Sequence, residues 1–290
     1  MKSLAWKNGN ICDIAEAKVP LEDRCYFFGD GVYEVIKVYN GKPFYMAPHL
    51  KRLQNSAGAI EINIPYKIEE IEYHITDLIQ KSGCQNGYLY MQLTRGCAQR
   101  DHLPPAGLEP SLIMYIREFG GPASVLDNFK PAGCITVPDE RWLKCNIKSV
   151  NLLPNILARL KADKAGATEA IFYRPGGIVT EATRTNVFAV IDGKVRTHPE
   201  SNLILSGITR SIVLDIMRKQ DIPFSEEAFY VDDLKHASEV WTTSSGIEVH
   251  PIGSIDGRPV NEPVPGPICQ QLIVEFRKII KEECYDGKKA

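Results

Sequence analysis

The run Val32-Tyr33-Glu34-Val35-Ile36-Lys37-Val38-Tyr39, closed by Asn40-Gly41, limits the possible folds more than any other stretch. Asn-Gly is the turn pair best suited to a two-residue hairpin, because both central positions need positive φ. A strand must therefore enter this turn, and residues 42–46 are the expected return strand. Alternation places Tyr33, Val35, Lys37 and Tyr39 on one face and Val32, Glu34, Ile36 and Val38 on the other. Neither face is cleanly apolar, so the strand is expected to border a site rather than lie wholly in a core.

Sheet signals continue on either side. Residues 5–13 carry an Asn8-Gly9 turn between two short runs, and residues 88–94 and 112–117 read as strands. Helical spacing appears from Pro48 to Ala59 and again at Ile68, Ile71, Ile75, Leu78 and Ile79, with Gly83 as a stop. Gly120-Gly121-Pro122 is the best candidate linker, which sets the expected division at 1–119, a linker at 120–124, and 125–290.

The second part should begin with strands at 133–137 and 146–150, followed by a helix over 154–164 with Ile156, Leu157 and Leu160 on one side. Strands at 170–173 and 186–191, a hairpin at Asp192-Gly193, a helix opening at Ser206 and a last helix bearing Ile268, Leu272, Ile273, Phe276 and Ile280 complete it. Both parts mix strands and helices without regular alternation, so the fold class is α+β.

Composition removes several functions from consideration. A net charge of -2 over 290 residues gives no bias toward nucleic acid or anionic membrane. No apolar run could span a bilayer, and the start lacks the apolar core of a signal peptide. The eight cysteines show no CxxC and no Cys/His spacing for zinc, which predicts reduced thiols in a cytoplasmic protein and no metal centre.

Five stretches could carry chemistry. Lys148 lies in Cys145-Asn146-Ile147-Lys148-Ser149-Val150, with apolar neighbours and no acidic partner nearby in sequence. An amine in apolar surroundings sheds its charge more easily, which a nucleophile needs; the plain alternative is a solvated surface lysine. Glu181 stands between a turn and an apolar strand, either partly buried or simply at an exposed strand end. Leu205-Ser206-Gly207-Ile208-Thr209-Arg210 could offer backbone N–H groups to an anion, or Ser206 could merely cap the helix. The hydroxyl-rich Trp241-Thr242-Thr243-Ser244-Ser245-Gly246 could bind phosphate or just end a strand. Arg100-Asp101-His102, in a polar, proline-rich loop, could hold a carboxylate or be a solvated loop.

In this order the stretches resemble the fold-type IV, pyridoxal-phosphate-dependent aminotransferases, and most of all the bacterial D-amino acid aminotransferases. The likeness rests on Glu22-Asp23-Arg24 with Phe28-Gly29-Asp30-Gly31-Val32-Tyr33-Glu34, on Ile147 to Leu153, on Val179-Thr180-Glu181 with Asn186-Val187-Phe188, and on Gly207-Ile208-Thr209-Arg210. It implies a smaller N-terminal α/β domain and a larger C-terminal domain with a β-barrel-like core. It also implies that Lys148 forms the Schiff base with pyridoxal 5'-phosphate and shuttles the proton, and that Glu181 pairs with the pyridine nitrogen. Arg52, the N–H groups of Ile208 and Thr209, and Ser244 or Ser245 would hold the phosphate, and Leu205 would pack on the ring. Tyr33, Arg100 and His102 would trap the substrate α-carboxylate, the Arg/His loop reaching in from a partner subunit of a homodimer.

One departure stands out. After the glutamate this chain has Ala182-Thr183-Arg184-Thr185 where small serine-type residues are usual in that family. Thr183 could still donate its hydroxyl to the phosphate, and Arg184 either adds a cation near the site or points to solvent. The implied reaction exchanges an amino group between a D-amino acid, such as D-alanine or D-glutamate, and a 2-oxo acid, such as 2-oxoglutarate or pyruvate. Alternatives within the same likeness are a branched-chain L-amino acid or (R)-amine transaminase and an aminodeoxychorismate lyase.

Overall fold

The structure is a computed structural model describing residues 2–119, 131–260 and 263–286; the expected linker at 120–124 lies outside them. The chain divides into two compact units, one of Met1–Ala123, Ile147–Asn151 and Ile280–Ala290, the other of Ser124–Asn146 and Leu152–Ile279. Two stretches from the second half of the sequence thus count with the first unit.

The first unit contains β1 (Leu4–Lys7), β2 (Asn10–Asp13), α1 (Arg24–Phe28), β3 (Gly31–Tyr39), β4 (Lys42–Pro43), α2 (Met46–Ala59), α3 (Ile68–Ser82), β5 (Gly87–Thr94) and β6 (Ser111–Glu118). Its strands form one antiparallel sheet in the order β2-β1-β6-β5-β3-β4. The Asn40-Gly41 turn forms, with φ of 49° and 71°. The return strand is shorter than expected: only Lys42 and Pro43 pair, and the chain turns into α2 at Met46.

Period-2 alternation decides what each face meets. Val32, Ile36 and Val38 of β3, Leu89, Met91 and Leu93 of β5, and Leu112, Met114 and Ile116 of β6 share one core with Leu50 and Leu53 of α2 and Ile71, Ile75 and Leu78 of α3. On β3 and its neighbours, Tyr33 stacks on Tyr90 at 5.8 Å between centroids, and Tyr90 on Tyr115 at 5.0 Å.

The expected strand at 146–150 is not a strand. Because β4 pairs only with the end of β3, the start of β3 has an open edge, and residues 147–151 lie along it. Ser149 bridges Val32, Tyr33 N–H donates to Lys148 O at 3.0 Å, and Val150 N–H donates to Gly31 O at 3.2 Å. Asn151 Nδ2 adds a bond to Gly29 O at 2.9 Å. These bonds explain why a segment distant in sequence belongs to the first unit.

The second unit contains β7 (Ala132–Pro138), α4 (Leu153–Lys164), β8 (Glu169–Arg174), β9 (Ile178–Ala182), β10 (Asn186–Ile191), β11 (Lys194–Thr197), α5 (Ile208–Lys219), β12 (Phe224–Glu226), α6 (Val231–Leu234), β13 (Glu239–Ser244), β14 (Glu248–Ile255), β15 (Arg258–Pro259) and α7 (Pro267–Ile280). The path β10-β13-β14-β7-β8-β9 returns to β10, so six strands close into a barrel. Cys134, Ile171, Val179, Val187, Ala189, Val240 and Ile252 share its core. The ring closes between β9 and β10 through a single pair, Glu181 opposite Asn186. An α+β fold with a barrel in the C-terminal part is therefore the architecture.

Candidate active site

Lys148 is half-buried between buried Ile147 and Ser149, held by its backbone on β3 and by its N–H donating to Ser56 Oγ at 3.1 Å. Its Nζ lies over the Tyr33 ring, 4.2 Å from the centroid. Lys148 and Tyr33 are thus brought together by the backbone bond that joins them.

Arg52, on α2, is held by Glu34 of β3. Its Nε donates to Glu34 Oε1 at 2.7 Å and its Nη2 to Oε2 at 2.9 Å, and His49 Nδ1 lies 2.7 Å from Oε2. Glu34 is fully buried and faces the helices, between Val32 and Ile36. Burial alone would raise its pKa; Arg52 and His49 overrule that and hold it far below the ordinary carboxylate range. Burial also lowers the pKa of His49, with the nearby charges of Arg52 and Lys148 opposing the pull of Glu34. The sequence reading gave Glu34 and His49 no role. The signal was a carboxylate at an inward position of an otherwise apolar strand face.

Arg100 and His102 stand exposed in the loop between β5 and β6. Both lie against Phe28: the Arg100 guanidinium is 5.3 Å from its ring centroid, and the His102 ring is 5.3 Å away.

In the second unit, the barrel closure builds an acidic centre. Glu181 is buried; its Oε1 accepts from Arg141 Nη1, and its Oε2 accepts from Leu205 N–H at 3.0 Å and Asn186 Nδ2 at 3.2 Å. Arg141 in turn donates to Asp139 from Nε and Nη2, both at 2.9 Å, and Asp139 also meets Arg174 at 3.1 Å. Burial raises the pKa of Glu181, with Arg141 working against it. For Asp139 burial pulls upward too, but Arg141 and Arg174 prevail and lower it. Asp139 and Arg141 escaped the sequence reading, because nothing local ties Asp139-Glu140-Arg141 to a strand about forty residues on, and Asn186 was given no role there. Of the two readings open for Glu181, the buried one holds.

Asn186 Nδ2 also donates to Leu205 O at 2.9 Å, which fixes the approach to α5. The cap of α5 is Gly207, not Ser206: no side chain caps the helix, and Ser206 Oγ donates instead to Glu200 Oε1 at 2.5 Å. A Cβ at position 207 would run into the Asn186 side chain, so glycine is required by close approach. The N–H groups of Ile208 and Thr209 stand at a helix start without a side-chain acceptor, where the helix dipole favours an anion. Ser244 ends β13, Ser245 follows in the turn, and both are half-buried. Thr185 Oγ1 and Thr243 Oγ1 are buried without a hydrogen-bond partner; Thr243 pairs in register with Asn186, and Thr185 precedes Asn186 in the chain.

Thr183 departs from expectation. Its hydroxyl donates to the buried Glu169 carboxylate, so its proton is committed there. Arg184 points largely to solvent, 66% exposed, with Nε 3.9 Å from Glu169 Oε2. The serine-type position is thus filled by a structural threonine, and the added cation lies at the surface.

The family profile described as amino-transferase class IV matches residues 31–255. The chain is 43% identical over 275 residues to a D-alanine aminotransferase of Staphylococcus aureus (strain COL), covering 94% of this chain and 96% of the relative. It is 40% identical over 276 residues to a D-alanine aminotransferase of Bacillus licheniformis, covering 95% and 96%. In fold it matches a branched-chain aminotransferase from the thermophilic archaeon Thermoproteus uzoniensis, solved with norvaline, at a TM-score of 0.87 and 28% identity, covering 98% of this chain and 97% of that one. A further structure of the same fold, another branched-chain amino acid aminotransferase, carries pyridoxamine 5'-phosphate. The chain belongs to the class IV aminotransferases, enzymes that depend on pyridoxal phosphate.

The residues present fit that cofactor. The uncapped start of α5 and the partnerless hydroxyls of Thr185 and Thr243 offer donors with nothing else to bind. Glu181, a buried carboxyl whose charged form burial disfavours, suits a protonated ring nitrogen, because a cationic N–H offsets the cost of burying that charge.

Proposed function

We propose that this enzyme exchanges an amino group between D-amino acids, D-alanine and D-glutamate among them, and 2-oxo acids such as 2-oxoglutarate and pyruvate. The observation that carries this reading is the likeness to D-alanine aminotransferases over nearly the whole chain, at 40–43% identity. Tyr33, Arg100 and His102 support it as the groups that hold the substrate α-carboxylate, a guanidinium fork beside an imidazole and a phenol.

When bound, pyridoxal phosphate supplies the electron sink that makes the substrate α-proton acidic. Lys148 Nζ would hold the cofactor and would serve as the base that moves the substrate α-proton. Glu181 would pair with the ring nitrogen, and Arg141 favours the charged form of Glu181 and aims it. Arg52, oriented by Glu34, would hold the phosphate, and so would the N–H groups of Ile208 and Thr209 and the hydroxyl of Ser244 or Ser245; Leu205 would pack on the ring.

The homodimer belongs to the same proposal and has support in α4. Leu153, Ile156, Leu157 and Leu160 fall at i, i+3, i+4 and i+7, yet are 65%, 54%, 51% and 50% exposed, while Ala158 and Ala162 face inward. An apolar stripe turned outward marks an association surface. A cytoplasmic location completes the reading; among the described residues no helix is long and apolar enough to cross a membrane.

Half-reactions with D-alanine and L-leucine, followed by the absorbance of the bound cofactor, test the substrate assignment. D-alanine is expected to convert the cofactor; conversion by L-leucine alone would instead support the branched-chain reading.

A further inference from the structure

The stretch Glu22-Asp23-Arg24, with Phe28-Gly29-Asp30-Gly31, is among the chain's most distinctive, yet none of these residues has a part in the chemistry above. Arg24 is nonetheless 3% exposed and is bonded at every nitrogen of its guanidinium. Its Nε donates to Asp30 Oδ2 at 2.8 Å, its Nη1 to Asp101 O at 2.7 Å, and its Nη2 to His102 O at 3.1 Å. The guanidinium carbon lies 4.9 Å from the Phe28 centroid, the same ring that carries Arg100 and His102.

The anchor is itself fixed. Asp30 Oδ2 also accepts from Arg95 Nε at 2.8 Å, and Arg95 reaches Ile60 O and Glu61 O at 2.6 and 3.0 Å. The base of α1 is tied to the start of the loop: Arg24 N–H donates to Gly96 O at 2.9 Å, Ala98 N–H to Glu22 O at 3.1 Å, and Thr94 Oγ1 to Asp23 Oδ2 at 2.8 Å. The loop over 95–110 has no helix or extended strand of its own, and Arg100, Asp101, His102 and Leu103 are all exposed. Left alone, such a loop would sample many conformations and would have to be ordered when a carboxylate binds. Two charge-assisted bonds from a buried cation to consecutive carbonyls remove that freedom beforehand.

We propose that Arg24 is the positioning residue of this loop, fixing the carbonyls of Asp101 and His102 so that Arg100 and His102 stand ready for the substrate α-carboxylate. The proposal rests on the reading of Arg100 and His102 as the carboxylate-holding pair. Arg24 touches no substrate; it acts through the backbone it holds and through the Phe28 ring it shares. Amino acid and oxo acid both carry an α-carboxylate, so Arg24 governs the affinity for both.

The test uses holoenzyme carrying Arg24→Met, Arg100→Met, both together, and Arg24→Lys. The half-saturating concentration of D-alanine is measured in the single half-reaction by cofactor absorbance, alongside the spectrum before substrate and the thermal midpoint. Arg24→Met leaves Asp30 paired with Arg95, so no buried charge is stranded. It is expected to raise half-saturation at least about tenfold, with the limiting rate changed less than about threefold and the initial spectrum unchanged. The double variant is expected to fall well short of the product of the two single effects, since Arg24 acts in part through Arg100. Arg24→Lys keeps a cation for Asp30 but cannot span both carbonyls, and should shift half-saturation the same way; it carries the comparison if Arg24→Met does not fold.

Unchanged half-saturation in the Arg24 variants, while Arg100→Met raises it, would overturn the positioning role and leave the carboxylate reading standing. Additive effects in the double variant, or full restoration by Arg24→Lys, would overturn it as well. Unchanged half-saturation in Arg100→Met would remove the carboxylate reading itself, and this inference with it.

Discussion

Glu34→Gln isolates the buried ion cluster that sets Arg52. The glutamine fits the space, but one carboxylate oxygen becomes an NH2 group facing donors, where Arg52 Nε, Arg52 Nη2 and His49 Nδ1 now converge. At least one bond is lost, and Arg52 is left without its counter-charge. Removing one partner of a buried pair costs about 3–5 kcal/mol; Arg52 keeps 11% exposure, so the loss should fall near the lower end, about 3 kcal/mol. The sign with pH follows from the depressed pKa of Glu34. Its stabilisation is fully present above the unfolded value of 4.5 and is lost as pH falls toward the folded value. Urea unfolding of both proteins at pH 7, and then stepwise downward, should show the gap at neutral pH and its narrowing below about pH 4.5. A gap under about 1 kcal/mol at pH 7, or one that persists undiminished in acid, would refute the reasoning.

Other residues give sharper single outcomes. Lys148→Ala should abolish transamination together with covalent attachment of the cofactor, read as its absorbance and by mass after borohydride reduction; an unchanged spectrum would refute the role given to Lys148. If Glu181 pairs with the ring nitrogen as proposed, Glu181→Gln should lower kcat by about a hundredfold or more, with the bound-cofactor spectrum shifted; a near-normal rate would contradict that pairing. Gly207→Ala drives a Cβ into Asn186 and should cost about 1–3 kcal/mol while weakening cofactor affinity, measurable by dialysis. Leu157→Glu with Leu160→Glu on α4 should yield a folded monomer by light scattering if that stripe is the association surface; an unchanged dimer would move the surface elsewhere.

Much of the fold could be read locally, for physical reasons visible in particular residues. Asn40-Gly41 and Asp192-Gly193 form the turns their positive φ values require, and β10 spans Asn186–Ile191 as its apolar run indicates. Failures came where tertiary partners outweighed local pattern. Residues 146–150 look like a strand, yet the Lys148 segment serves as backbone filler along the open edge of β3. Ser206 looks like a cap, but Glu200 draws its hydroxyl away and the close approach of Asn186 leaves the cap to Gly207. Ile156, Leu157 and Leu160 share one side of α4 as their spacing indicates, but only the fold shows that this side is turned outward.

The candidate site divides the same way. Lys148, Glu181 and the α5 start were each open to a plain structural reading, and only the family resemblance gave them roles. Arg141, Asp139, Glu34, His49 and Arg24 received none, since each acts on a residue far away in sequence or on another element, and a cation's partner is invisible until the chain folds. Buried polar networks are specified by long-range geometry, which explains why supporting residues are harder to read than the ones they support.

The handedness of the substrate is the most direct test of the account. Purified holoenzyme is incubated with each alanine enantiomer and 2-oxoglutarate, and the chirality of the glutamate formed is determined. The account predicts D-glutamate from D-alanine and no turnover of L-alanine; L-glutamate formed from L-alanine would contradict it.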